Sequence, residues 1–238
     1  MPAWKRAIDI CFCISLLPIL VLAALVMTII HWGVSPGPLF FRQNRVGFRG
    51  GRFEIFKFRT MKPGANTKVH QHHFAQLVGS NSPMVKLDAQ RDSRLVPGGW
   101  FLRASGFDEL PQIINVLIGD MSLVGPRPCI MSEIEEYSCE QRARFNAVPG
   151  LTGLWQVSGK NRTSFEEMIR LDVQYAHKLS PFMDLQIILL TPRALLDQIQ
   201  DIVRERRPSL RSSGESVSQG SLQKISFTAP RRIHRWLT

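Results

Sequence analysis

The sequence predicts an α+β protein, mainly helical, in which an N-terminal re-entrant membrane helix hairpin precedes a cytoplasmic globular domain with a small β-hairpin. Three observations predict it. Ala7 to Ile30 is almost wholly apolar, has Pro18 near its middle and is basic on both flanks. Leu39–Val46 and Arg52–Thr60 are rich in Phe and Ile and are separated by Gly47, Gly50 and Gly51, the pattern of a hairpin. Apolar residues recur at helical spacing after Pro111 and again after Ser164. The expected division is 1–34 for the membrane helix, 35–200 for the cytoplasmic domain and 201–238 for a basic, flexible tail.

The apolar run is too long for a signal-peptide core and long enough to span a bilayer, for which about 20 residues suffice. Asp9 lies near its start, one turn from Lys5, and is expected to pair with Lys5 or Arg6 at the interface. Pro18 removes one backbone hydrogen bond and bends the helix. Lys5 and Arg6 precede the run, and Arg42, Arg45, Arg49 and Arg52 follow it. The positive-inside rule places both flanks in the cytoplasm, which a run bent at Pro18 satisfies. The alternative is a single kinked span.

Length and charge bound the rest. A chain of 238 residues fits one domain with an attached segment. Its net charge of +11 calls for an anionic partner: nucleic acid, an anionic membrane surface or a phosphorylated substrate. No basic helix with interleaved aromatics supports nucleic acid. Of four cysteines, Cys11 and Cys13 sit in the apolar run, and Cys129 and Cys139 lack zinc-site spacing. A reducing compartment follows.

In the second strand of the hairpin, alternation puts Ile55, Lys57 and Arg59 on one face. Lys57 and Arg59 then form a natural pair for one phosphate, or else an ordinary solvated face. Lys62 to Gln90 is less informative; His70, His72 and His73 lack the partners of a metal site and read as a polar surface. Asp92 and Arg94 then lead to the turn at Gly98-Gly99.

Arg103 to Gln112 reads RASGFDELPQ. Pro111 belongs in the first turn of a helix, so Asp108 and Glu109 are expected at its N-terminus beside free N–H groups. A carboxylate there stays ionised, as a nucleophile or a Mg²⁺ ligand must. Simple capping is the alternative, because Ser105-x-x-Asp108 resembles a capping box. Arg127 lies between two prolines in a fixed-shape loop and suits a planar phosphate contact. Ser132–Phe145 reads as a charged helix, and Pro149–Val157 as a second rigid loop that Lys160, Asn161 and Arg162 continue with basic donors. Ser164-x-x-Glu167 caps a helix to about Leu179, and Asp184–Ile199 forms another, interrupted at Pro192.

The motifs KRAID (5–9), GPLFFRQNRVG (37–47), FEIFKFRTM (53–61), RASGFDELPQ (103–112), GDMSLVGPRP (119–128) and PGLTGLWQVSGKN (149–161), with the helix carrying Asp172 and Tyr175, run in the order of a known family. The chain resembles the bacterial sugar transferases, the monotopic phosphoglycosyl transferases that begin polysaccharide and glycoconjugate assembly. The resemblance implies transfer of a sugar-1-phosphate from a UDP-sugar to polyprenyl (undecaprenyl) phosphate at the bacterial inner (plasma) membrane. It implies Mg²⁺, release of UMP and a covalent phosphosugar–aspartate intermediate. Asp108 matches the nucleophile and Glu109 its partner, and both are expected to ligate the metal. Lys57, Arg59, Arg103, Arg127 and Lys160 are expected to bind the UDP-sugar, and Lys5, Arg6 and Asp9 the lipid phosphate. Membrane lipids are expected partners, nucleic acid is not, and a homo-oligomer is left open. The chain departs from the usual family pattern at Ser105-Gly106-Phe107, at Lys160 in place of Arg and at Leu17 in place of Ser. A non-catalytic membrane adaptor is the competing reading, but it has no need of an acidic pair among cations.

Overall fold

The computed structural model describes residues 1–63, 94–135, 137–160 and 163–206, with side chains as far as residue 203. The chain opens with α1 (Ala3–Val34), a single helix that runs through Pro18. Two antiparallel strands follow, β1 (Phe40–Val46) and β2 (Arg52–Phe58), in the expected hairpin with Phe41 opposite Lys57. Next come α2 (Gly99–Ser105), a 3-10 turn (Phe107–Glu109) and α3 (Gln112–Ile118). β3 (Ser122–Val124) pairs in parallel with β4 (Gly150–Thr152). Between them lie α4 (Met131–Ile134) and a 3-10 turn over Gln141–Asn146. A one-turn α5 (Leu154–Val157) leads to α6 (Phe165–Lys178) and α7 (Pro181–Arg206).

The protein is therefore mainly helical with a small sheet, and several boundaries differ from expectation. Ser132–Phe145 is not one helix but two short pieces around Tyr137. α7 runs through Pro192 and past residue 201, where the tail was expected to begin. The N-cap half of the expected capping box is present: the Ser164 hydroxyl accepts from the Glu167 N–H, while the Glu167 carboxylate accepts from Arg170. His70, His72, His73, Asp92, Asn161, Arg162 and residues 207–238 lie outside the described residues.

The core joins α3, β3, α6 and α7 through Ile113, Val116, Leu123, Met168, Ile169 and Ile187. α1 is docked on this body along one stripe. Lys5, Asp9, Cys13, Leu20, Met27 and His31 are buried at intervals of four or seven residues, the repeat of one helix face. Its outward face carries exposed Ile14, Val21, Leu22, Leu25, Ile29 and Trp32.

The two ends of the stripe are polar. Lys5 donates to the Val124 carbonyl (2.8 Å), the Tyr175 hydroxyl (2.9 Å) and the Asp184 carboxylate. Asp9 accepts from the Ser122 hydroxyl (3.0 Å) and the Leu123 N–H (2.9 Å). Arg6 donates to the carbonyls of Val116 and Leu117 at the C-terminus of α3, where a cation complements the negative end of the helix dipole. At the far end, His31 Nε2 donates to the Arg59 carbonyl (2.8 Å).

A candidate active site at the Asp108–Glu109 turn

Asp108 and Glu109 do not cap a helix. Gly106 adopts φ 75°, a left-handed conformation that stops α2 and turns the chain. The two carboxylates then fall on the 3-10 turn, and α3 begins only at Gln112, after Pro111. The capping-box reading fails at Ser105, whose hydroxyl donates back to the Phe101 carbonyl (2.8 Å) in α2. The turn is seated from below: Leu110 packs into the cluster that α1 forms with Phe58 through Leu20 and Met27.

Lys57 faces this turn. Its ammonium donates to Glu109 Oε1 at 2.7 Å, with both side chains largely shielded. Asn115, fully buried in α3, makes the meeting possible. Its side-chain oxygen accepts from the Phe56 N–H (3.0 Å) and its NH₂ donates to the Glu54 carbonyl (2.6 Å). These bonds clamp the free edge of β2 against α3. Burial lowers the Lys57 pKa, and the opposing pull of Glu109 and Asp108 does not cancel it.

Arg127 is near the same group of charges. The loop bearing it is pinned between the two parallel strands: the Gly125 N–H donates to Thr152 (2.9 Å) and the Gly150 N–H to Pro126 (2.9 Å). A Cβ on Gly150 would lie 2.0 Å from the Gly125 nitrogen, so the crossing requires glycine. Arg127 Nη1 bonds both oxygens of Glu133 (3.2 and 3.1 Å). Burial opposes the Arg127 charge, but Glu133 and its surroundings outweigh it, and the net shift is upward.

Arg45, which the sequence reading placed only among the basic flanks, belongs to this group. It feels the charges of Arg127, Glu133 and Glu109, and burial pushes its pKa down to about 10. It donates to the Pro128 carbonyl (3.4 Å) and to Gln43 (2.7 Å), while its buried Nε has no partner among the described residues. Its position on β1 in a Phe-rich hairpin was the available signal.

The remaining expected residues divide. Arg59 is turned away from Lys57. β2 ends at Phe58, alternation lapses, and the guanidinium turns into the acceptors of Ser35, Pro38 and Met61. Lys5 and Asp9 make no ion pair with each other, and their polar contacts anchor α1 on the body. Arg6 likewise holds α3. Arg103 lies in the last turn of α2, and Lys160 follows α5 with φ 35°.

Among the described residues no group of three or more His, Cys, Asp or Glu side chains gathers for a metal. The adjacent Asp108 and Glu109 carboxylates are hard oxygen donors, and Asp108 is only 7% exposed. That donor set fits Mg²⁺, which binds through one or two carboxylates and completes its shell with water and substrate phosphates.

A hairpin-borne lysine faces an acidic turn whose Leu110 packs against a helix long and apolar enough to cross a membrane. The chain belongs to the bacterial sugar transferase family, whose model matches residues 1–198. It is 44% identical over 161 residues to the galactosyl transferase CpsE of Streptococcus agalactiae, covering 67% of this chain and 35% of that protein. It is 34% identical over 200 residues to an undecaprenyl-phosphate galactose phosphotransferase of Salmonella typhimurium, covering 81% and 40%. It is 41% identical over 187 residues to a UDP-glucose:undecaprenyl-phosphate glucose-1-phosphate transferase of Caulobacter vibrioides, covering 75% and 63%. The chain thus spans between about a third and two thirds of the length of these relatives.

Proposed function

We propose that this chain moves a sugar-1-phosphate from a UDP-sugar to polyprenyl phosphate, as the first membrane step of a glycan. The observation that carries the reading is the Asp108–Glu109 turn, held against α1 on one side and against Lys57 on the other. The names of the relatives make UDP-galactose and UDP-glucose the first donors to test.

An ionised Asp108 oxygen attacks the phosphorus that bears the sugar. The bond from that phosphorus to the UMP oxygen breaks, and UMP leaves with the electron pair. A phosphate oxygen of the polyprenyl phosphate then attacks the same phosphorus and frees the carboxylate. Lys57, Arg127 and Arg45 offset the charge that the diphosphate carries into the site. Glu109 keeps Lys57 charged and in place. Asp108 and Glu109 would hold Mg²⁺, which when bound draws charge from the phosphoryl oxygens.

The docking of α1 supports a monotopic arrangement. A bitopic span sets its two ends about 30 Å apart across the hydrocarbon core. Here Lys5 at one end and His31 at the other both bond to the same body. The outward apolar face is then the membrane contact, with the body on the cytoplasmic side.

The test is Asp108→Asn with membranes or purified protein, UDP-sugar, polyprenyl phosphate and Mg²⁺. UMP release is expected to vanish, and the wild-type peptide carrying Asp108 to gain the mass of a phosphosugar when the lipid is withheld. An active Asn variant, or turnover without that adduct, rejects the mechanism.

A further inference from the structure

Arg127 is held at two points by a network outside the reacting groups. Glu133 is 1% exposed and spends both oxygens on Arg127 Nη1. The Tyr137 hydroxyl donates to Glu133 Oε2 (3.1 Å) and itself accepts from Arg144 Nη1 (2.6 Å). Arg144, also 1% exposed, uses Nη2 on the Arg127 carbonyl (2.8 Å) and on Asp172 of α6. Asp172 thus fixes Arg144, Arg144 fixes the Arg127 backbone, and Glu133 fixes the Arg127 guanidinium.

Burying these charges costs several kcal/mol per ion before pairing. A packed apolar cluster would hold the same elements together, so scaffolding alone does not account for the choice of residues. The geometry of Arg127 suggests what does. Only Nη1 is engaged, and Nη2 and Nε make no hydrogen bond among the described residues. Those two N–H groups form one edge of the guanidinium fork, which matches two oxygens of a phosphate.

We infer that Glu133 is a positioning residue: it grips one corner of Arg127 so that the Nη2–Nε edge is presented, already oriented, to the substrate diphosphate. Tyr137 steadies Glu133, and Arg144 keeps the loop from sliding. The inference rests on the reading of Arg127 as a diphosphate contact.

The experiment is a mutant cycle on the full chain, with UMP release followed at several UDP-sugar concentrations. Glu133→Gln keeps the shape and an acceptor for Tyr137 but loses the charge that grips Arg127. It is expected to lower kcat/KM about tenfold, within the range of coupled neighbours. In an Arg127→Ala background the same change is expected to do nothing further. Tyr137→Phe, which leaves both charges in place, is expected to give a smaller loss that also disappears without Arg127. Equal losses in both backgrounds would overturn the positioning role, because a structural defect does not depend on Arg127. If Arg127→Ala alone stays near wild type, Arg127 does not contact the diphosphate and the inference falls with that reading.

Discussion

Lys57→Met offers the sharpest separation of chemistry from folding. Methionine keeps most of the apolar stem and removes the charge. The structural cost is bounded by the Lys57–Glu109 pair, whose side chains are 21% and 27% exposed. Fully exposed pairs contribute about 0.2–1 kcal/mol, and breaking fully buried ones costs about 3–5 kcal/mol. This pair lies between, so a loss of about 1–3 kcal/mol is expected. A domain with about 5–15 kcal/mol of stability remains folded after that loss. The catalytic cost should be larger. Removing one preorganised donor to a developing anion costs about 10²–10³-fold in kcat, and here Glu109 also loses its counter-charge beside Asp108. The assay pairs UMP release with a thermal melt on the same preparation. Activity within about threefold of wild type, under 1 kcal/mol of barrier, in a folded Lys57→Met protein would refute a role for this cation in the reaction.

The same lysine predicts a pH response. Its pKa lies below the ordinary lysine value of 10.5 because of burial, so wild-type activity should decline on the alkaline side before a free lysine would titrate. Between the two pKa values the folded state binds fewer protons than the unfolded one, so this group makes stability rise with pH there. Falling activity with a steady or rising melting temperature is therefore the signature, and Lys57→Arg should move that limb to higher pH. Activity and melting temperature falling together would instead mean alkaline unfolding. For the membrane arrangement, a cysteine placed at Leu17 or Ile19, beside Pro18, in a chain lacking its native cysteines should resist a membrane-impermeant thiol reagent applied outside the cell. Ready labelling there would establish a crossing helix.

The elements were legible in the sequence where they depend on local pattern. Alternating Phe and Ile with intervening glycines gave the β1–β2 hairpin, and Ser164 with Glu167 gave the start of α6. The acidic pair was legible as chemistry but not as geometry. Pro111 suggested that a helix begins at Asp108, whereas the left-handed Gly106 inserts a 3-10 turn first. What pairs across the fold was not legible. Lys57 and Glu109 are 52 residues apart, and Asn115, which brings them together, looks like any polar residue in a short helix. The burial of Glu133 and Arg144, which lie in a stretch read only as a charged helix, and of Asp172, named only as a motif position, was not legible, because nothing in such a stretch announces that neighbours will cover it. Nor were the internal partners of Lys5, Asp9 and Arg59 legible, since motif position suggested only a ligand.

Those internal partners also explain why anchor and site form one unit. Asp9 binds Ser122 and Leu123 on β3, the strand whose next residue, Val124, accepts from Lys5 and leads directly into Gly125 and the Arg127 loop. Arg6 holds the end of α3, whose beginning follows the acidic turn. Leu110 fills the space between that turn and α1. Tilting α1 would therefore shift β3 and α3 together, and with them Arg127 and Glu109. Buried charges are an expensive way to attach a membrane helix, but their hydrogen bonds fix its rotation as well as its contact. A greasy seam alone would let α1 slip by a turn with little penalty. With Lys5 bonded to Val124 and Asp9 to Ser122 and Leu123, the position of α1 fixes that of β3 and of the loop that follows it.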